Sequence, residues 1–96
     1  MEEIVPNTVD ASKEKHVPVV EQFNSSIMVS IGSEPHPMIQ SHYIEWIALQ
    51  TETGIQIHYL KPEEPPCYEF QMQESVQPVA VFAYCNLHGL WKASVG

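Results

Sequence analysis

His42-Tyr43-Ile44-Glu45-Trp46-Ile47-Ala48-Leu49-Gln50-Thr51-Glu52-Thr53-Gly54-Ile55-Gln56-Ile57-His58-Tyr59-Leu60 is the stretch whose reading decides the fold. Period-2 alternation in its first half places His42, Ile44, Trp46 and Ala48 on one face of an expected strand. Thr53-Gly54 supplies turn residues, and a second alternating run follows in which Ile55, Ile57 and Tyr59 share a face. The pair reads as an antiparallel hairpin.

The same rhythm extends in both directions. Short apolar or alternating runs separated by Gly, Pro, Ser and Asn fall near residues 17 to 22, 26 to 31, 42 to 51, 55 to 61, 67 to 73, 78 to 85 and 90 to 95. Lys61-Pro62-Glu63-Glu64-Pro65-Pro66 cannot continue a ladder, because its prolines remove donors and fix φ. It is therefore expected to cross from one sheet to another. Pro78-Val79-Ala80-Val81-Phe82-Ala83-Tyr84 is the longest apolar run and is read as a central strand buried on both sides, ending at Cys85. Seven short strands in so small a chain predict an all-β protein, a seven-stranded immunoglobulin-like β-sandwich. Residues 1–15 carry no strand signal and are expected to form an extended arm that delivers Glu14, Lys15 and His16 to a domain spanning 16–96.

Composition narrows the function classes. The 96 residues suffice for one small core. Four Lys+Arg against twelve Asp+Glu give a net charge of −8, which repels phosphate backbones and anionic lipid headgroups, so neither nucleic acid nor a membrane surface is an expected partner. The amino terminus lacks a basic and an apolar leader region, and no apolar run approaches the roughly 18 residues of a spanning helix. A cytoplasmic location is expected. A sandwich this small with open edge strands is also expected to form a homo-oligomer.

The chemistry is concentrated in three clusters: Glu14-Lys15-His16-Val17-Pro18, His36-Pro37-Met38-Ile39-Gln40-Ser41-His42 and Cys85-Asn86-Leu87-His88-Gly89. Four of the five histidines lie in them; His58 sits mid-strand without ligand spacing and is read as structural. Two cysteines are too few for a disulfide scaffold. Cys67 is expected to be a small buried hydrophobe, whereas the Cys85-x-x-His88 turn can present a thiolate and an imidazole to one ion, with Gly89 relaxing the backbone. Four imidazoles and a thiolate exceed the closed tetrahedral shell of structural zinc and are too rich in nitrogen and sulfur for calcium or magnesium. Iron with an open position fits best. Copper is the competitor, but no Met follows Cys85, and Met38 is read as a loop or core filler.

Glu-Lys-His-Val-Pro at 14 to 18, His-Pro-Met-x-x-x-His-Tyr-Ile-Glu-Trp-Ile at 36 to 47 and Tyr-Cys-Asn-Leu-His-Gly at 84 to 89 together resemble the desulfoferrodoxin and neelaredoxin family of superoxide reductases. The resemblance implies one mononuclear non-haem iron cycling between Fe2+ and Fe3+, with His16, His36, His42 and His88 equatorial and Cys85 axial. It implies one-electron reduction of superoxide to hydrogen peroxide. The rubredoxin-like domain of the two-iron members is not present in this sequence, so electrons are expected from a separate carrier such as a rubredoxin. Lys15, one of only four cations and adjacent to His16, is expected to attract the anionic substrate. Glu14 has two readings, a sixth ligand that occupies the vacant ferric position or an ordinary exposed carboxylate. Two other classes compete: an electron-transfer metalloprotein, iron or copper, without substrate chemistry, and a non-catalytic sandwich module with incidental histidines.

Overall fold

The structure is a computed structural model that describes residues 16–23, 25–32, 36–72 and 76–95. Seven strands run in the order β1 (Pro18–Phe23), β2 (Ser26–Ile31), β3 (Ile44–Thr51), β4 (Gly54–Tyr59), β5 (Cys67–Gln71), β6 (Pro78–Cys85) and β7 (Gly89–Ser94). They form a three-stranded sheet, β1-β2-β5, and a four-stranded sheet, β4-β3-β6-β7. All the neighbouring pairs are antiparallel. The chain is the expected immunoglobulin-like sandwich, and each strand begins and ends within about two residues of its sequence reading. Among the described residues no helix is long and apolar enough to cross a membrane.

The punctuation acts as its chemistry requires. The β3–β4 hairpin closes at Thr51↔Gly54, with the Thr53 backbone N–H donating to the Thr51 hydroxyl. Residues 61–66 carry the chain from the four-stranded to the three-stranded sheet. Within that crossing Glu63 adopts a φ of 75° and donates its backbone N–H to the Met38 carbonyl at 2.6 Å, which ties the proline-rich loop to the loop between β2 and β3.

Alternate residues of both sheets face inward and exclude water. Ile27, Val29 and Phe70 from one sheet meet Ile44, Ile47, Leu49, Val81 and Ala83 from the other, all buried. Fully burying each of the larger side chains contributes roughly 1.5–3 kcal/mol. Met38 packs against this cluster, and its sulfur accepts the Ile44 N–H, so the filler reading of that residue holds.

Three expectations are corrected. The face proposed for His42, Ile44, Trp46 and Ala48 does not exist, because the β3–β6 register shifts between Ile44 and Trp46. That irregularity inserts a residue, so Ile44 faces the core together with Ile47 and Leu49, whereas Trp46 turns outward onto Tyr84, their rings stacked at 5.9 Å. His42 precedes the strand and pairs with Ile39 in an isolated bridge. The β6 strand is central, but Phe82 and Tyr84 on its outer side are only half-buried, so it is not covered on both faces. Cys67 is exposed: it opens an edge strand opposite Ser30, on the side away from the core residues Ile27 and Val29.

Candidate metal centre

One end of the sandwich gathers ligating side chains from four separate segments. His16 lies two residues before the start of β1, His36 and His42 lie within the loop between β2 and β3, Cys85 ends β6, and His88 occupies the turn into β7. Donor atoms of His16, His36, His42 and Cys85 all lie within 4.8 Å of one another. His88 joins them, with Nδ1 3.0 Å from Nε2 of His16 and 3.9 Å from the Cys85 sulfur.

The four imidazoles form a closed circuit. Ring centroids are 4.6 Å apart for His16–His36, 4.8 Å for His36–His42, 5.0 Å for His42–His88 and 4.8 Å for His16–His88, each neighbour turned by 78° to 88°. Across the circuit His16 and His42 are 6.4 Å apart, longer than every side, as in a square rather than a tetrahedron. Such a frame sets four imidazole rings around a common centre, with the buried Cys85 thiol beside it.

Hydrogen bonding orients individual donors. The short contact of 2.6 Å between His36 Nδ1 and the Pro37 carbonyl requires Nδ1 to carry the proton, since a carbonyl only accepts. Nε2 of His36 then presents its lone pair, and this buried atom has no hydrogen-bond partner. A buried acceptor without a partner costs about 1–3 kcal/mol unless something occupies its lone pair, and a cation bound among these rings would do so. The donor set therefore fits a borderline transition metal on an observation independent of any motif.

Two residues that the sequence patterns did not single out hold the frame. Asn86 accepts the Tyr43 N–H at its Oδ1 (2.9 Å) and donates from Nδ2 to the Ser41 carbonyl (3.1 Å), thus gripping the backbone on both sides of His42. In sequence an asparagine between Cys85 and His88 signals only a turn. Trp91 is fully buried on β7, and its ring stacks on His16 at 4.8 Å and 24°. Gly89 has a φ of 79°, the left-handed conformation that closes the Cys85–His88 turn. His58 lies outside the cluster, stacked on Tyr68 at 3.7 Å. Glu14 and Lys15 lie outside the described residues.

Comparison with known proteins accords with this geometry. The desulfoferrodoxin family model matches residues 8–94. The chain is 44% identical to a desulfoferrodoxin of Clostridium acetobutylicum over 95 residues, which covers 99% of this chain and 74% of that protein. This chain belongs to the desulfoferrodoxin family. Its fold superposes on the crystal structure of the superoxide reductase from Treponema pallidum with a TM-score of 0.90 at 41% identity, covering 95% of this chain and 75% of that one. A superoxide reductase of Thermococcus kodakarensis is 33% identical, with 90% of each chain covered. As a desulfoferrodoxin-family domain, the chain places its three histidine- and cysteine-bearing clusters at one end of the sandwich.

Burial pushes the His36 imidazole down to about 4 from its ordinary 6.5; repulsion from His16, His42 and His88 adds to the effect, and the bond to Pro37 opposes it. In the metal-free protein the folded state thus resists a proton that the unfolded chain accepts. Stability from this source is complete above pH 6.5 and is lost as the pH falls through the window towards about 4. The urea midpoint of the metal-free protein should decline across that window, and His36→Asn should make the decline shallower. An unchanged slope in the variant would assign the acid sensitivity to other groups.

Proposed function

We propose that this chain is a superoxide reductase, in which His16, His36, His42, His88 and Cys85 would hold one iron that supplies the redox chemistry. The observation that carries this reading is the square circuit of imidazoles beside a fully buried thiol. When bound, iron supplies the single electron that, with two protons, converts superoxide to hydrogen peroxide. The protein's contribution is to hold four neutral imidazoles in place and to keep Cys85 away from water, where its thiolate is protected from competing oxidation.

Lys15, adjacent to His16, draws the anionic substrate towards the site against a net charge of −8. Glu14 keeps its two readings, a carboxylate that would close the vacant position of ferric iron or an ordinary exposed side chain. Because the redox centre lies at the surface end of one domain, reducing equivalents come from a small redox carrier of the rubredoxin kind. The competing reading, an electron-transfer protein without substrate chemistry, would suit a closed ligand sphere; among the described residues His42 and His88 are only half-buried, which favours a site that solutes can reach.

The domain also pairs with a second copy of itself through the outer face of the four-stranded sheet. Ile55, Ile57 and Tyr59 are 59%, 48% and 71% exposed there, and they continue across the sheet registers into Trp46, Tyr84 and Phe82. Unpaired apolar faces of this kind mark interfaces. The β4 strand contains neither a proline nor a charged residue, unlike the other edges: β1 has Pro18 and Glu21, β5 has Glu69, and β7 has Lys92. An edge without such protection is open to pairing. In a chain of net charge −8, a face whose registers carry only Lys92 as a charge is also where a like-charged copy meets least repulsion.

Three measurements test these assignments. The protein grown with iron should contain about one iron per chain and show, when oxidised, a thiolate-to-ferric absorption band that Cys85→Ser abolishes; persistence of the band would redirect the assignment to Cys67. Lys15→Ala should slow the second-order reaction with superoxide and flatten its ionic-strength dependence at unchanged iron content, and an unaltered rate would remove the role. Sedimentation velocity should give a dimer that Ile57→Lys converts to a monomer while Val19→Lys, on the opposite sheet, does not. A wild-type chain that is monomeric at all concentrations would rule out self-pairing.

A further inference from the structure

We propose that Trp91 is a positioning residue for the metal centre: its indole face sets the plane of the His16 ring and hence the direction of the His16 Nε2 lone pair. The inference rests on the metal-centre reading above and adds to it a residue outside the ligand set.

The need for such a residue follows from torsional freedom. The last side-chain torsion of histidine is broad and roughly two-fold, so a favourable rotamer leaves the plane of the imidazole undecided. A ligating ring must nevertheless be held to within about 10–20° of its productive orientation. His36 solves this with the bond from its own Nδ1 to the Pro37 carbonyl. His42 sits on backbone held by reciprocal bonds with Ile39 and clamped on both sides by Asn86. His88 lies in a turn closed by the Cys85↔Gly89 pair. The His16 ring stands edge-on to those of His36 and His88, and its Nε2 lies 3.0 Å from Nδ1 of His88. Among the described rings, the indole lies face to face with His16 at the shortest range, 4.8 Å and 24°.

Trp91 is 0% exposed and lies opposite the core residue Ala83 across the β6–β7 ladder, so it belongs to the buried side of the sheet that carries His88. Its Nε1 is buried without a hydrogen-bond partner, so the indole is not retained at this place for its donor. What remains is its broad aromatic face. The stack also joins the two sheets, because His16 leads into β1 of the three-stranded sheet and Trp91 belongs to β7 of the four-stranded one. Closing the sandwich and orienting this donor are therefore one event.

Cobalt(II) is the probe, because its visible bands report ligand geometry and thiolate bonding without any reaction with superoxide. Wild type, Trp91→Leu and Trp91→Phe, each as the metal-free full chain, are titrated with cobalt(II) against a chromophoric chelator, and circular dichroism is recorded in the visible region. Trp91→Leu should weaken cobalt binding about 10- to 100-fold and alter the visible spectrum, as loss of a group supporting a ligand does. Trp91→Phe, which keeps a flat face and drops the unpaired donor, should restore most of both. The loss should also disappear in a His16→Ala background, where there is no ring left to orient. A Trp91→Leu protein that melts earlier but binds cobalt with wild-type affinity and spectrum would overturn the proposal, as would equal losses with and without His16. If Trp91→Leu does not fold, Trp91→Met makes the same comparison with a flexible side chain. A wild-type chain that gives no thiolate-to-cobalt band would instead refute the metal-centre reading, and the two failures are thereby told apart.

Discussion

The pairing of β3 with β6, from Ile44↔Cys85 at one end to Thr51↔Pro78 at the other, is the constraint on which the rest of the molecule depends. It lies at the centre of the four-stranded sheet and supplies Ile44, Ile47, Leu49, Val81 and Ala83 to the core. The same register sets Cys85 beside the end of the His36–His42 loop, with the Asn86 N–H bonded to the Tyr43 carbonyl just beyond it. Burial of apolar surface, which has no directional requirement of its own, thus fixes the separation between a thiol and two imidazoles that are more than forty residues apart in the chain. The register shift after Ile44 belongs to this arrangement: it turns Trp46 outward and keeps Ile44 in the core next to the site.

The site itself is an electrostatic compromise. Burying an imidazole among others disfavours its protonated form, since the charge finds little solvent and is repelled by neighbouring protons. His36 shows the consequence in its lowered affinity for a proton. An imidazole binds a cation only in its neutral form, so the burial that keeps a proton off His36 also favours a metal there. The net charge of −8 contributes a long-range repulsion of anions that a local cation can offset.

Local chemistry that a single residue imposes was readable directly. Glycine at 89, the Thr53-Gly54 turn and the proline-rich crossing behaved as their backbone preferences dictate, and the strand limits followed because a period of two is a local property. The errors share a different cause. The bulge in β3 arises from pairing with a strand some forty residues away, and Cys67 is exposed because its strand lies at a sheet edge. Apolar residues on both sides of β6 could not reveal that one side faces outward. Asn86 looked like a turn former, and its actual partners, Ser41 and Tyr43, are set by tertiary contact.

The sequence by itself determined the fold class, the strand count and the family, because periodicity, turn residues and motif spacing are carried within short windows of chain. Tertiary structure decided that His88 turns its Nδ1 towards His16, that the four rings close into a square, that the proton of His36 sits on Nδ1, and that Trp91 lies flat against His16. These are relations between residues on different strands and loops. They exist only once the two sheets have packed, since no short stretch of chain contains both partners.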